Sequence, residues 1–445
     1  METLLKQGQM VVARNMQSAC IVRGVLGEGA QAEVYRATIG DHEFALKWYR
    51  PEYVQVDPRL WDRLKEAINI GSPSEQFLWP FDLASLPGST GYSGYLMPIK
   101  PPTFISLIEL MRGKSDPAFR SLATVGFLLA DSFFKLHSNG LCYRDINFGN
   151  FFFEPNTGDI RIGDTDNVDI TGRPGSIKGT PGFMAPEVGR NEAHPSTTTD
   201  RFSLATLLFN IFMIGHPLKG KREMELKYDA TDPDGSRRLC ADDPIFVFDP
   251  LNERNRPLPG IHDAMLSFWP IYPQSLRDLF LRSFTVGLWD PDARVMENEW
   301  RKETCRLRDS IFLCPGCKAE NFMDLDRIRR KVGMEPCWSC KRALEVPARM
   351  RVGVPNDACV VVLNPGIQLF AHHLNGARYS FGQPLAEVVL INPSGEGLAL
   401  KNLSAATWSY QAEGGANYAV APGGFAQLTN NSKLRFGATD GDVRL

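Results

Sequence analysis

Short apolar runs at residues 20–26, 34–39 and 44–47 carry β-type character and predict strands, the first two separated by the turn-like Gly27-Glu28-Gly29. Residues 58–70 change to helical spacing. A further β-like run at 159–163 ends at Asp164, and a strongly apolar helix is predicted over 202–214, opened by Asp200. Between 215 and 269 the chain passes through Lys219-Gly220-Lys221-Arg222, Asp232-Pro233-Asp234-Gly235 and Pro257-Leu258-Pro259-Gly260. These are turn signals, and they predict a long surface excursion. Helical spacing resumes over 275–287. From 347 to the end, short β-like runs at 358–363, 387–391, 398–400, 418–420 and 433–436 alternate with Gly- and Pro-containing turns. That is the rhythm of a β-sandwich.

At 445 residues the chain has room for two or three domains, and 43% hydrophobic content supports ordinary cores. A net charge of -2 gives no electrostatic reason to expect nucleic acid or an anionic membrane as partner. The apolar run 202–214 contains Asn210 and is too short to span a bilayer. Lys6 is followed by Gln7-Gly8-Gln9 and not by an apolar stretch, so a soluble, cytoplasmic protein is expected.

The chemistry concentrates at Tyr143-Arg144-Asp145-Ile146-Asn147-Phe148-Gly149-Asn150, with Asp164 fourteen positions later. Phosphoryl transfer needs one carboxylate near the attacking hydroxyl and oxygen donors on the metal. Asp145, Asn150 and Asp164 suit those roles in that order. Upstream, Gly27 and Gly29 lie in a loop whose backbone N–H groups can approach phosphate oxygens without an intervening Cβ. Lys47 follows on the next strand, and Glu66 stands nineteen residues beyond it in the helical segment. A buried lysine needs a carboxylate to stay charged, and Glu66 is the expected partner. Downstream come Ala185-Pro186-Glu187, Asp200, and Arg294, which is placed to pair with Glu187.

This ordered set over 14–304 resembles a eukaryotic-type (Hanks-type) protein Ser/Thr kinase domain. The resemblance implies an α+β bilobal fold, with an N-lobe at 14–97 and a C-lobe at 98–304. It implies that Gly27 and Gly29 cover the phosphates, that Lys47 holds the α and β phosphates, and that Glu66 anchors Lys47. Asp145 would accept the proton of the substrate hydroxyl, and Asn150 and Asp164 would ligate Mg2+ or Mn2+. Val34, Met97 and Ile99 would border the ATP adenine, Met97 near the gatekeeper position. Arg144 would receive a phosphate from the loop after Asp164, where Thr171, Ser176 and Thr180 are the available hydroxyls.

The chain departs from the family pattern at four places. Asn147 stands where a lysine usually touches the γ-phosphate. Asp164-Thr165-Asp166 replaces Asp-Phe-Gly, so a small polar residue takes the place of a spine Phe, and Asp166 adds a carboxylate that either binds a second cation or caps the following turn. Tyr143 replaces the usual His, and Ala32 replaces the third glycine. No essential carboxylate is lost, which favours an active enzyme. The alternative is a nucleotide-binding pseudokinase scaffold.

Four of the nine cysteines form two pairs, Cys314-Pro315-Gly316-Cys317 and Cys337-Trp338-Ser339-Cys340. Two such knuckles supply four thiolates in a tetrahedron, which suits a structural zinc. The flanks lack the βαβ pattern of a thioredoxin-like redox motif. A four-cysteine zinc ribbon is therefore expected over 310–346, resembling rubredoxin-like zinc ribbons, with a β-sandwich over 347–445. The stretch 420–437 is similar to the last strands of forkhead-associated domains, although their Gly-Arg and Ser-Arg-x-His phosphate-binding motifs are not visible. A kinase followed by such a ribbon and tail resembles bacterial kinases of the tellurite-resistance-associated phosphorylation triads. That resemblance implies a protein substrate, and as partners a von Willebrand factor A protein and a PP2C-type phosphatase.

Overall fold

The structure, a computed structural model, describes residues 3–175, 177–226, 233–354, 357–392 and 397–445. Ser176, one of the three loop hydroxyls, and Asp232, which opens one of the turn signals, lie outside the described residues. The chain divides into two compact units. The first comprises Met1–Pro270 with Arg277–Lys302, and the second Ile271–Leu276 with Glu303–Leu445.

The first unit begins with strands β1 (Met10–Ala13), β2 (Ser18–Glu28), β3 (Ala32–Ile39) and β4 (His42–Tyr49), then helices α1 (Pro51–Val56) and α2 (Leu60–Ile70), then β5 (Asp82–Ser85) and β6 (Gly94–Met97). The strands close into a barrel in the order β1-β2-β3-β4-β6-β5. Side chains alternate across a strand, and β4 shows what this does. Leu46 and Trp48 pack with Val22, Tyr35 and Leu96 in one core cluster. Ala45 and Tyr49 pack with Tyr95, Met97, Leu60 and Leu64 in another. Lys47, between Ala45 and Tyr49 in that alternation, therefore leaves the barrel on the side that α2 covers. Register pairs it with Tyr95 and pairs Ala45 with Met97.

Helix α2 turns Leu60, Arg63, Leu64 and Ala67 inward. Those positions recur at three- and four-residue spacing and define one face. Glu66 lies about 100° around the helix from Ala67, off that face, and is exposed.

After the barrel come a buried helix, Phe119–Ser138, and the apolar helix Thr197–Met213. Ser196 and Thr199 form a reciprocal capping box at the start of the latter. Segment 215–269 does not form the surface excursion expected from its turns. Leu218, Leu239, Ile245, Phe246 and Val247 are buried. Phe246 meets Phe209 of the apolar helix at 5.6 Å between ring centres, and Phe248 stacks on Trp269 at 4.3 Å. Buried Asn255 ties the segment's turns together, donating to the carbonyls of Leu218 and Ile245 and accepting from the amide of Gly220. The short apolar run 245–248 and single residues such as Leu218 and Leu239, set between turn signals, thus build a core without leaving a regular period.

In the second unit, Ile311–Leu313 pairs with Glu320–Phe322. A six-stranded sheet follows in the order Asp357–Val362, Arg349–Val354, Thr439–Arg444, Lys433–Phe436, Trp408–Gln411, Asn417–Val420. A four-stranded sheet has the order Gln368–Leu369, Ala386–Leu390, Leu398–Asn402, Phe425–Leu428. Their inner faces share one core that includes Met350, Val352, Val388, Leu400, Trp408 and Leu434. Phe312 and Met323 pack with Val362, so the cysteine-bearing segment and the sheets belong to the same unit.

Candidate active site

Lys47 is the third residue from the end of β4, and its side chain is 6% exposed. Its Nζ lies 3.0 Å from Asp164 Oδ1, and 2.9 and 3.0 Å from the two carboxylate oxygens of Asp166. Burial by itself favours the neutral amine. The charges of Asp166 and Asp164 outweigh it and hold the lysine well above its ordinary pKa. Asp166, itself buried, is held low despite its desolvation, with Lys47 the largest stabilising influence. Tyr49 and Tyr95 also donate to it, at 2.5 and 3.2 Å.

The expected Lys47–Glu66 pair is not formed. Glu66 accepts instead from Arg173 at 2.9 Å. The residue of α2 that faces the site is Arg63, whose Nε donates to the Asp166 carbonyl at 3.3 Å and whose other nitrogens form a bidentate pair with Asp57 at 3.1 and 2.7 Å. Asp166 is thus neither a turn cap nor a side chain turned toward a second cation. Its carboxylate is taken up by Lys47 and two tyrosines. Thr165, in the place of a spine Phe, is fully buried and donates to the Leu78 carbonyl at 3.0 Å.

Asp164 itself sits in the left-handed region, with φ 44°, and its side chain is 43% exposed. The Asn150 amide nitrogen donates to the Asp145 carbonyl at 3.0 Å, so the amide oxygen is the atom suited to a cation. Asn147 is engaged locally: its nitrogen donates to the Asp145 carbonyl at 3.2 Å, and its oxygen accepts from the Gly149 amide at 2.9 Å. Asp145 Oδ1 accepts from the Thr180 hydroxyl at 2.6 Å.

The loop bearing Asp145 is fixed from below. Asp200 accepts the amide of Tyr143 at 2.5 Å and that of Arg144 at 3.1 Å. Arg144 has φ 73°, a conformation that costs a residue with a Cβ about 1–2 kcal/mol and here is held by those bonds. His137 bridges Asp200 at 3.1 Å and Glu297 at 2.7 Å. The Arg144 guanidinium lies 3.2 Å from Asp169, which Arg173 also reaches at 3.0 Å. Asp169 therefore already occupies the arginine expected to receive a loop phosphate. Arg294 forms the bidentate pair with Glu187, both contacts 2.8 Å.

Gly27, near the end of β2 and register-paired with Val34, and Gly29, just beyond that strand, are both exposed, and a Cβ on Gly27 would meet no protein atom within 4 Å. Val34 and Ile99 pack against the cluster containing Met97 and Ala45. Neither Ala45 as a wall residue nor Asp166 as the partner of Lys47 is among the expectations drawn from the sequence. The first was detectable from the alternation along β4; the second depends on a contact 119 residues long in sequence.

In the second unit the sulfurs of Cys314, Cys317, Cys337 and Cys340 all lie within 4.8 Å of one another. Cys314–Cys340 and Cys317–Cys337 are each 3.6 Å apart. A tetrahedron with Zn–S bonds of about 2.3 Å has edges of about 3.8 Å, so the donor set fits zinc. Each knuckle is built alike. Lys318 and Lys341 adopt φ 63° and 61° and return their amides to the carbonyls of Cys314 and Cys337 at 3.0 and 2.9 Å. Backbone and Asn321 donors overcome burial and bring the Cys337 thiol down to about 6.

Asp309, His372 and His373 form another close group. Both imidazoles accept a backbone amide at Nδ1, from Tyr379 and Phe370 respectively. Each neutral ring then carries its proton on Nε2, so neither offers that nitrogen's lone pair to a metal. The group reads as structural.

The family described as Protein kinase domain matches residues 127–265. The chain is 27% identical over 367 residues to the DNA damage-responsive serine/threonine-protein kinase RqkA of Deinococcus radiodurans, covering 80% of this chain and 50% of that protein. It is 29% identical over 241 residues to the cell cycle serine/threonine-protein kinase CDC5/MSD2 of Saccharomyces cerevisiae, covering 51% and 32%. With the probable serine/threonine-protein kinase WNK5 of Oryza sativa subsp. japonica it shares 28% over 173 residues, covering 37% and 52%. The chain thus spans about half or less of the length of these relatives, and the protein-kinase likeness falls on the segment that carries Asp145, Asn150 and Asp164.

Proposed function

We propose that the protein is an ATP-dependent protein serine/threonine kinase. The observation that carries this reading is the meeting of Lys47 from the barrel with Asp164, 3.0 Å apart, where the Gly163 amide ties the Asp164 segment to the Asn150 carbonyl of the loop that also carries Asp145, at 2.7 Å. In this reading the phosphates of Mg-ATP lie between Lys47 and the Gly27–Gly29 loop. Asp164 and the Asn150 oxygen would hold Mg2+ or Mn2+, which would supply charge neutralisation on the phosphates. Asp145 orients the attacking Ser or Thr hydroxyl and takes its proton. Thr180 now donates to Asp145, and its hydroxyl marks the place where a substrate hydroxyl would approach. Val34, Ala45, Met97 and Ile99 form the apolar walls for adenine.

The four-cysteine cluster would hold a structural zinc: four thiolates leave no position for a water, so its role is to order a segment with little core of its own. The finer reading is a bacterial cytoplasmic signalling or stress-response kinase. Its ribbon and sandwich would dock partners such as a von Willebrand factor A protein and a PP2C-type phosphatase. Among the described residues no helix is long and apolar enough to cross a membrane.

Incubation with labelled ATP and Mg2+ or Mn2+ tests the enzyme. Label should reach protein with the wild type and not with Asp145→Ala or Asp164→Ala. Measurable ATP binding with no transfer would sink the kinase reading and leave a scaffold. Purification with candidate partner proteins tests the docking role, and loss of co-purification on removing 310–445 is the expected outcome.

A further inference from the structure

We propose that Asp166, two residues beyond the metal aspartate, is the positioning residue for Lys47, so that the lysine is held independently of Glu66. The inference rests on the kinase reading above and concerns how that site is kept assembled.

Both oxygens of Asp166 contact Lys47, at 2.9 and 3.0 Å. Tyr49, on the same strand face as Lys47, donates to one oxygen at 2.5 Å, and Tyr95, the cross-strand neighbour of Lys47, donates to the other at 3.2 Å. The side chain of Asp166 is 1% exposed, and every one of these donors is buried. A buried carboxylate persists where its lone pairs are satisfied by hydrogen bonds and a counter-charge. Asp166 meets both conditions through residues of β4 and β6, which belong to one closed barrel.

Glu66 is placed differently, near the surface and with Arg173, not Lys47, as its counter-charge. Its side chain is 46% exposed, and its partner Arg173 is 26% exposed. Rotating or shifting α2 would move Glu66 without moving the donors around Asp166. The main-chain carbonyl of Asp166 is additionally bonded by Arg63, whose guanidinium is fixed by Asp57. Helix α2 therefore supports the Asp166 backbone and leaves the lysine's counter-charge to the segment that also carries Asp164. Lys47 and the metal aspartate are consequently set by one short stretch, Asp164 to Asp166, and are positioned together.

The test uses the full chain and four variants, Asp166→Asn, Glu66→Gln, Lys47→Met, and Asp166→Asn combined with Lys47→Met. Affinity for a fluorescent ATP analogue is measured with Mg2+, alongside phosphoryl transfer and thermal melting. Asp166→Asn should weaken nucleotide binding by about tenfold or more, because a buried charge loses its partner. The double variant should bind no more weakly than Lys47→Met, since Asp166 acts through the lysine. A merely structural role would instead make the two losses multiply. Glu66→Gln should stay within about threefold of wild type in affinity and in transfer rate, as expected for an exposed pair. If Glu66→Gln matches Lys47→Met, or if the double variant loses affinity multiplicatively, the inference is overturned. Should Asp166→Asn fail to fold, the Glu66→Gln arm alone decides. A wild type that binds the analogue but transfers nothing overturns the kinase reading, while the binding cycle still reads the anchoring role.

Discussion

Replacing Asp200 with Ala is the perturbation that tests how the proposed catalytic loop is held. Three donors lose their acceptor: the amides of Tyr143 at 2.5 Å and Arg144 at 3.1 Å, and the His137 ring at 3.1 Å. All four residues are buried or nearly so. A buried donor left unpaired costs about 1–3 kcal/mol, so the two amides together are worth about 2–6 kcal/mol. Arg144 is held at φ 73°, a conformation costing about 1–2 kcal/mol that relaxes once those bonds are gone. Relaxation re-aims Asp145, the next residue, while Lys47 and the barrel lie elsewhere in the unit. The protein should lose a large part of its stability yet remain folded at low temperature. Its kcat should fall at least about tenfold, equivalent to about 1.4 kcal/mol, with ATP affinity little changed. Thermal melting and steady-state kinetics at roughly 10–15 °C, where domain stability peaks, give both quantities. A folded Asp200→Ala protein with wild-type kcat would refute the argument that these bonds position Asp145.

Other predictions concern the metal, pH and loop. Metal analysis should find about one zinc per chain, lost in Cys314→Ser or Cys337→Ser; unchanged content would refute the site. His137 is raised above its ordinary value because, against burial, hydrogen bonds and charge from Asp200 and Glu297 favour the imidazolium. Its stabilisation is fully present below about pH 6.5 and disappears as pH rises through the higher folded value. Denaturant titrations of wild type and His137→Asn should therefore converge toward alkaline pH, and a constant difference would contradict the assignment. Glu297 is pulled down to about 2, since His137 and Arg201 outweigh burial, so its contribution is present above the unfolded value and fades as pH falls toward 2. Asp169→Ala should release Arg144 and Arg173 together and make transfer sensitive to phosphorylation of Thr171 or Thr180, detectable by phosphatase treatment; insensitivity would show that Asp169 does not stand in for a phosphate.

Local patterns were readable from the sequence because they depend on few neighbours. The runs at 20–26, 34–39 and 44–47 lie inside β2, β3 and β4, and the five β-like runs of the tail coincide with strands to within a residue or two. The cysteine knuckles bring their sulfurs together, as Cys-x-x-Cys spacing implies. Thr439–Arg444 gives a weak strand signal because Asp440, Gly441 and Asp442 leave Val443 as its sole apolar side chain, whereas Arg349–Val354 does alternate, with Met350, Val352 and Val354 between Arg and Gly; the pairing of the two spans most of the tail. The partner of Lys47 escaped for a different reason. Spacing alone pointed to Glu66, but the phase of α2 turns Arg63 inward and Glu66 outward, and Asp166 reaches the lysine from a distant segment. Segment 215–269 reads as surface because Phe246 and Phe248 give no periodic signal among turns, though both enter an aromatic core.

Incubation with ATP labelled at either the γ or the α phosphate, followed by identification of the labelled residue, decides whether the protein transfers the γ-phosphoryl group to serine or threonine. Label is expected from the γ phosphate only, on serine or threonine, and is abolished in Asp145→Ala. Transfer from the α phosphate, undiminished labelling by Asp145→Ala, or no transfer by a wild type that binds ATP would contradict it.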